Sequence, residues 1–169
     1  MKQLLTRDEC KEIINFAEDK KSWQKVLWNA KVATSGVADY DFCDISDLTW
    51  YKDKLIQYAL EELNLKLYSA SVAIIKYGVG SKFPRHTDRS PNNEFNMDFL
   101  YNVNVVLNDD FEGGEFWLDD KPVAGNTPGV VYHYKSTQWH EVKEVTKGVR
   151  YTTLFYIRDR DTTKNKNLI

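Results

Sequence analysis

Residues 71–88 read SVAIIKYGVGSKFPRHTD, and this stretch is the most informative one about the fold. The part that ends at Tyr77 is rich in β-branched residues, which favour strands. Gly78 and Gly80 then predict a turn, and residues 82–88 predict a second short extended segment. Two short strands joined by a glycine turn are typical of antiparallel β structure.

The same alternation of short strands and turns continues toward the C terminus. Segments of strand composition, bounded by Gly, Asn or Asp, lie at residues 99–107, 115–118, 129–134, 137–142 and 149–157. So many short strands favour an antiparallel sandwich or barrel over parallel βαβ units. The residues after Arg158 are polar, and we expect them to form a frayed tail.

The N-terminal side has a helical pattern instead. Residues 6–9, TRDE, match a capping box, and the apolar residues that follow predict a helix that ends near Lys20. Apolar residues at helical spacing predict a second helix that begins after Ser46 or Asp47, either of which is a suitable cap. Between the helices, the pattern favours a strand over residues 23–32 and a loop over residues 34–44.

Length and composition restrict the class of protein. The chain has 169 residues, enough for one domain, and its 42% hydrophobic and 28% charged residues are typical of globular proteins. The 23 basic and 25 acidic residues leave a net charge of −2, so we expect no nucleic-acid partner. We also expect no membrane association, because no apolar run reaches the ~18 residues of a membrane span. The N terminus lacks the pattern of a secretory signal, so we expect a cytoplasmic protein with Cys10 and Cys43 reduced.

The histidines carry the main functional information. His86 and Asp88 are two residues apart in an extended segment, so their side chains project from the same face. His140 lies on another predicted strand and would add a second imidazole. Two histidines and one carboxylate are the ligand set of non-haem Fe(II) oxygenases, and they leave coordination positions open. From the residues alone, the alternative stays open that the His-x-Asp pair lies in a surface loop and that His140 is structural.

Arg150 begins the last predicted strand, ten residues after His140. It shares a strand face with Thr152 and Leu154, so its guanidinium requires either a buried anion or an exit to the surface. A guanidinium binds a carboxylate through two parallel hydrogen bonds. A dicarboxylate that chelates the metal through one end would therefore present its other carboxylate to Arg150.

These motifs together resemble a known family. They are, in order, Tyr77-x8-His86-x-Asp88, Leu107-Asn108, Glu112-Gly113-Gly114-Glu115 and His140-x9-Arg150. In this order and spacing the chain resembles the prolyl 4-hydroxylase-like branch of the Fe(II)/2-oxoglutarate-dependent dioxygenases. The resemblance implies a mainly β fold, a double-stranded β-helix of the jelly-roll, cupin-like kind, with N-terminal helices packed on it. We expect one domain over residues 1–169, with a helical support region at 1–66, a β-helix core at 67–158 and a tail at 159–169.

The resemblance also implies an activity. His86, Asp88 and His140 match the Fe(II) ligands at the catalytic centre, with 2-oxoglutarate and O₂ as co-substrates and ascorbate as a reductant. The implied reaction is hydroxylation of a C–H bond, most often in a prolyl residue of a peptide or protein. A free amino acid, a nucleobase or another small molecule stays open as substrate, and so does a non-oxidative, cupin-like metal-binding module. The sequence does not specify the substrate, and we expect a monomer or a small homo-oligomer.

Further residues match the co-substrate pocket of the family. Arg150 matches the basic residue that pairs with the distal carboxylate of 2-oxoglutarate, and Tyr77 matches a tyrosine that lines the same pocket. Thr152 is placed beside Arg150, where its hydroxyl would be available.

One position departs from the pattern. Relatives often have a tyrosine before the Leu-Asn pair, and Val106 stands there in this chain. Asn102 and Asn104 share a strand face with Val106, so we expect their amides to replace the missing hydrogen bond. The alternative is that this face is solvated or that the two amides satisfy each other. The polar loop at residues 89–98 follows the His-x-Asp pair, and a role in substrate binding and a role as a plain connection both stay open.

Overall fold

The computed structural model describes residues 2–28, 37–64, 71–89, 99–123 and 127–158. The elements, in chain order, are β1 (Lys2–Gln3), α1 (Arg7–Lys20), β2 (Gln24–Trp28), β3 (Ala38–Asp44), α2 (Thr49–Leu63), β4 (Val72–Tyr77), β5 (Phe83–His86), β6 (Phe99–Val106), β7 (Glu112–Gly113), β8 (Phe116–Leu118), β9 (Lys121–Pro122), β10 (Val130–Lys135), β11 (His140–Val142), β12 (Val145–Lys147) and β13 (Arg150–Arg158). The mainly β fold with N-terminal helices is confirmed. The loop at residues 90–98 and the tail from residue 159 lie outside the described residues.

The strands form two main antiparallel sheets. The larger sheet has seven strands in the order β1-β10-β6-β13-β4-β3-β2. The smaller sheet has four strands in the order β5-β11-β8-β9, and β7 pairs with β12 separately. Apolar side chains of both sheets pack together, among them Ile75 of β4 with Phe116 of β8 and Val142 of β11. The two sheets therefore enclose one core, and the helices enclose a second.

The larger sheet separates these two cores by simple alternation. On β4, Val72 and Ile74 pack against the helices, whereas Ile75 and Tyr77 face the smaller sheet. The helix-side core also includes Ile13 of α1. Its other buried members come from α1, α2, β3, β6, β10 and β13, and from Leu5, Ile45, Leu48 and Leu107 between the elements. Because side chains alternate along a strand, one strand contributes to both cores without any change of direction.

The start of α1 agrees with the capping box. The Thr6 hydroxyl accepts a hydrogen bond from the Glu9 backbone N–H at 3.2 Å, and the Glu9 carboxylate accepts one from the Thr6 N–H at 2.8 Å. The expected caps of α2 are wrong, because Leu48 occupies that position and makes no side-chain cap. The Ser46 hydroxyl instead accepts from the Val72 N–H at 2.9 Å. This hydrogen bond joins the segment before α2 to β4.

The prediction of a loop at residues 34–44 is also wrong for residues 38–44. Residues 38–44 form β3, which pairs with both β2 and β4. The acidic residues that suggested a loop are accommodated at the outer strands, where Asp39 forms an ion pair with Lys25 of β2. Ala38 and Cys43 are buried. Strand pairing, a non-local interaction, outweighs the low strand propensity of aspartate here.

No helix among the described residues has the length and apolar character needed to span a membrane.

Candidate metal and co-substrate site

Strand pairing brings the two predicted histidine ligands together. His140 of β11 lies directly opposite His86 of β5. The Nδ1 of His86 is 2.7 Å from the Pro84 carbonyl oxygen, and that of His140 is 3.0 Å from the Gln138 carbonyl oxygen. A carbonyl only accepts hydrogen bonds, so each Nδ1 carries the proton. In the neutral imidazole, the metal-binding lone pair is then on Nε2.

Asp88 completes the group two residues after β5. Its carboxylate oxygens lie 3.5 Å from His86 Nε2 and 3.3 Å from His140 Nε2. One ligand atom from each of the three residues lies within 4.8 Å of the others, and the Asp88 side chain is only 11% exposed. The structure therefore brings together the three residues that the sequence predicts as metal ligands. Their role as Fe(II) ligands remains a prediction.

The ionisation of Asp88 and His86 suits a metal ion. Burial by itself would raise the pKa of Asp88, but the adjacent His140 and His86 hold that pKa well below its usual range. Burial lowers the pKa of His86, which favours the neutral imidazole that metals bind. Burial also acts to lower the pKa of His140, but the Asp88 carboxylate outweighs it and the pKa is raised. An ionised carboxylate beside two imidazoles is the donor set that non-haem Fe(II) requires, so these residues fit that ion.

Asn102 lies next to this group of three residues. Its side-chain amide donates a hydrogen bond to the Asp88 carboxylate. The role of Asn102 at the co-substrate remains a prediction. The hydrogen bond from Asn102 orients the Asp88 carboxylate. Metal-ligating side chains are commonly held in position by such hydrogen-bond partners.

Arg150 lies at the other end of the same pocket. Its side chain is only 1% exposed, and its guanidinium carbon lies 5.5 Å from the ring centre of Tyr77, its register partner on β4. Among the residues that the structure describes, Nε and Nη1 of Arg150 have no hydrogen-bond partner. A buried guanidinium without a counter-charge is costly, so this end of the pocket fits an anionic group such as the distal carboxylate of 2-oxoglutarate.

The glycines of the predicted Glu-Gly-Gly-Glu motif make room for Arg150. Gly114 has φ +65°, a conformation that side chains other than glycine rarely adopt. A Cβ added there would lie 3.0 Å from Cδ of Arg150 and 2.9 Å from Val145. A residue with a Cβ at Gly114 would therefore be strained and would force Val145, and to a smaller extent Arg150, to shift. The motif thus contributes to the site through close packing as well as through a turn.

The other predicted co-substrate residues line the pocket with hydrogen bonds of their own. The Thr152 hydroxyl donates to the Val105 carbonyl at 2.9 Å, and the Asn104 amide donates to the Tyr134 hydroxyl at 3.2 Å. Burial raises the pKa of Tyr77 far above its usual value, so its phenol stays neutral. The role of the three residues in binding a co-substrate remains a prediction.

The pocket between the two sheets contains both ends of the candidate site. Its walls include Tyr132 and Tyr134, which the sequence analysis did not assign to the site. The available signal was their two-residue spacing on a predicted strand, which places both on one face, with His133 on the other. His133 is exposed and pairs through Nδ1 with the Tyr58 hydroxyl at 2.9 Å, away from the pocket.

Comparison with known sequences yields one family and two hydroxylases. The model of the 2OG-Fe(II) oxygenase superfamily matches residues 72–158. A PKHD-type hydroxylase of a Picosynechococcus species is 31% identical over 96 residues, which cover 54% of this chain and 44% of that protein. A PKHD-type hydroxylase of a Caulobacter species is 30% identical over 105 residues, which cover 56% of this chain and 46% of that protein. The chain thus matches less than half of the length of either relative.

Comparison with solved structures establishes the fold. A Pseudomonas putida prolyl-4-hydroxylase superimposes with a TM-score of 0.69 at 16% identity, over 95% of this chain and 91% of that one. A viral collagen prolyl hydroxylase of Paramecium bursaria Chlorella virus-1, in a 2OG complex, gives 0.68 at 18%, over 94% and 93%. A Trichoplax adhaerens prolyl hydroxylase, in complex with a hypoxia inducible factor peptide fragment, gives 0.71 at 18%, over 99% and 86%. The expected double-stranded β-helix is confirmed.

Proposed function

Because the chain belongs to the 2OG-Fe(II) oxygenase superfamily, we propose that it is an Fe(II)- and 2-oxoglutarate-dependent dioxygenase that hydroxylates a C–H bond. One observation carries the proposal. A single buried pocket contains the His86, Asp88 and His140 group at one end and the buried guanidinium of Arg150 at the other. A co-substrate with a metal-chelating head and a distal carboxylate fits both ends.

The three ligand residues would hold Fe(II) through two imidazole nitrogens and one carboxylate. When bound, Fe(II) supplies, with 2-oxoglutarate and O₂, the oxidising chemistry that converts C–H to C–OH and releases succinate and CO₂. Three protein ligands leave three positions of an octahedral ion open. The carbonyl contacts of both Nδ1 atoms and the Asn102 contact of Asp88 fix the direction of the donor atoms.

The rest of the pocket would orient the co-substrate and exclude water. Arg150 would pair with the distal carboxylate, and the Tyr77 ring beside it stabilises the cation from one side. Apolar side chains such as Val142 and Leu154 form much of the remaining wall. In such a surrounding an ion pair is stronger than in water, so the anchor also selects 2-oxo acids that carry a second carboxylate.

For the substrate, we propose a peptide or protein segment that presents a prolyl residue. A second groove, about 500 Å³ in open volume, lies beside the pocket and shares Ile75, Leu154 and Tyr156 with it. Its remaining wall is formed by Val26, Tyr40, Phe42 and Ala73, none of which is charged. An uncharged, partly aromatic groove suits an apolar peptide segment, and the names of the curated and structural relatives agree with a hydroxylase of this kind.

The alternative substrates are a free amino acid, a nucleobase or another small molecule. A non-oxidative metal-binding module of the same fold is the alternative activity, since one fold supports many functions. Such a module would have no use for a buried arginine beside the metal, which is why the oxygenase is preferred.

We place this activity in the cytoplasm. The support is that Cys10 and Cys43 are both buried and free, as expected in a reducing compartment.

The direct test is turnover without the substrate. The protein is incubated with Fe(II), 2-oxoglutarate and O₂, with ascorbate as the proposed reductant that keeps iron in the Fe(II) state, and succinate is measured. We expect succinate that depends on both Fe(II) and 2-oxoglutarate and that disappears in Asp88→Ala. Succinate formation equal in the wild type and in Asp88→Ala would rule out the proposed function.

The substrate class is tested separately. Peptides with and without proline are incubated under the same conditions and scored for a mass gain of one oxygen atom. A gain confined to proline-containing peptides supports the proposal. A gain on free amino acids or nucleobases, with none on peptides, would replace it with the alternative.

A further inference from the structure

A set of buried polar atoms at the Arg150 end of the pocket lacks partners. In the part of the chain that the structure describes, the Tyr132 hydroxyl and Nε and Nη1 of Arg150 make no hydrogen bond. Both residues line the same pocket, and both are buried. Buried polar atoms are rarely unpaired in native proteins, and an unpaired cation is the costliest case. Their common position points to one ligand that is shared by both side chains.

Two polar side chains of the same pocket already donate hydrogen bonds within the protein. The Thr152 hydroxyl proton goes to the Val105 carbonyl, and an Asn104 amide proton goes to the Tyr134 hydroxyl. Val106, on the same face of β6, has no hydrogen-bonding group in its side chain. Tyr132 is therefore a buried group of the same pocket whose O–H donor is unused among the described residues.

Strand register brings Tyr132 to this position. Tyr132 of β10 lies opposite Asn104 of β6, and Thr152 of β13 lies opposite Val106 of β6. The side chain of Tyr132 thus projects from the same face of the sheet as Arg150, which begins β13. Burial raises the pKa of Tyr132, while the positive charge of Arg150 acts in the opposite direction. The phenol is neutral, keeps its proton and lies within the field of the guanidinium.

We propose that Tyr132 and Arg150 together bind the distal carboxylate of 2-oxoglutarate, which rests on the proposed function. The phenol donates to one carboxylate oxygen, and the guanidinium donates through Nε and Nη1. A carboxylate has about four acceptor sites on its two oxygens, so it accommodates all three donors. Tyr132 is then a specificity-determining residue, because its hydroxyl has a partner only when the bound acid has a second carboxylate.

The test compares two acids that share the same 2-oxo acid head. The protein is loaded with Mn(II), which avoids turnover, and titrated calorimetrically with 2-oxoglutarate and with 2-oxopentanoate, in which a methyl group replaces the distal carboxylate. We expect Tyr132→Phe to bind 2-oxoglutarate about tenfold or more weakly, the usual effect of one hydrogen bond to a charged group. Its affinity for 2-oxopentanoate should not change.

Two further measurements separate this role from a structural one. The unliganded Tyr132→Phe protein should melt at the wild-type temperature or above it, because the change removes an unpaired buried hydroxyl and keeps the ring packed against Phe116. Tyr151→Phe is the matched control, because its hydroxyl lies on the opposite face of the same sheet and donates to Glu18. Tyr151→Phe should bind 2-oxoglutarate as the wild type does.

The possible failures are distinguishable. Equal 2-oxoglutarate affinity in the wild type and Tyr132→Phe, together with a loss in Arg150→Met, would overturn the role of Tyr132 and leave the proposed function intact. An equal loss for both acids would also overturn it, since Tyr132 would then act on the metal-chelating head. A wild-type protein that binds neither acid, or both equally, would overturn the proposed function and this inference with it.

Discussion

The two faces of the larger sheet have opposite characters, although the same strands form both. The face toward the helices is apolar, and its buried Thr153 hydroxyl is hydrogen-bonded to Tyr51 of α2. The face toward the smaller sheet carries Asn102, Asn104 and Arg150 on the same strands. Within the described part of the chain, atoms of Asn102 and Arg150 there have no hydrogen-bond partner. The first face is mainly apolar, and the second carries buried polar atoms that a bound ligand could satisfy.

This difference indicates that one face of the sheet mainly stabilises the fold and the other mainly binds ligands. Apolar burial on the helix side stabilises the fold, at ~25 cal/mol for each Å² removed from water. Buried, unpaired polar groups on the pocket side reduce stability until a ligand satisfies them. Substitutions on the helix face should therefore affect stability, and substitutions on the pocket face should affect binding.

The largest expected effect is on the pocket face. His140→Ala removes one of three proposed metal ligands, and we expect complete loss of succinate formation and of Mn(II) binding by calorimetry. The unliganded protein should unfold at a similar denaturant concentration, because the metal and not the core is lost. His133→Ala is the control, since His133 lies away from the pocket, and it should keep Mn(II) binding. Retained Mn(II) affinity in His140→Ala would contradict the assigned site.

The next effect belongs to the helix face. Leu55 of α2 is completely buried in the helix-side core, so Leu55→Ala should lower the free energy of unfolding by about 2–5 kcal/mol. Leu60→Ala on the same helix, where the side chain is 45% exposed, should change it by less than about 0.5 kcal/mol. Urea denaturation measures both. The folded fraction of Leu55→Ala should bind Mn(II) and 2-oxoglutarate normally, and a selective loss of binding would show that the two faces are coupled.

A third substitution tests the buried cation. Arg150→Met should weaken 2-oxoglutarate binding roughly 30-fold or more, because the loss of one partner of a buried charge pair costs about 2–5 kcal/mol. Arg150→Lys should lose less, since the charge is kept. Without ligand, Arg150→Met should melt no lower than the wild type, because an uncompensated buried charge is removed. A marked drop in melting temperature would mean that Arg150 stabilises the fold.

The smallest effect is at the edge of the helix face. Thr6→Ala removes the hydroxyl that caps α1 and should cost about 1 kcal/mol in unfolding free energy, with no change in ligand binding.

The Lys54 ammonium and the Thr6 N–H hold the pKa of Glu9 below its usual value. The ionised Glu9 carboxylate therefore stabilises the folded state at neutral pH, and this stabilisation is lost as the pH falls through the folded-state pKa of Glu9. Glu9→Gln should reduce the acid dependence of stability between the unfolded and folded pKa values, as followed by urea denaturation across pH.

Much of the protein follows from the sequence alone. The two-residue period of 72–77 and 150–157, the capping box of α1 and the spacing of His86 and Asp88 are local patterns, and local geometry determines which face each side chain takes. The fold class, the helical front and the grouping of the two histidines with Asp88 could be predicted for this reason. The role of the loop at residues 89–98 remains a prediction.

Where two contacting residues lie on different strands, only the tertiary structure determines that they meet. The pairing of residues 38–44 as a strand, the contact of Asn102 with Asp88 and the position of Tyr132 near Arg150 depend on which strands are neighbours and in what register. The period of a strand shows that Tyr132 and Tyr134 share a face, but not that this face is opposite His140. A one-residue change of register would turn both away from the pocket, because side chains alternate, and register is set by contacts between residues far apart in sequence.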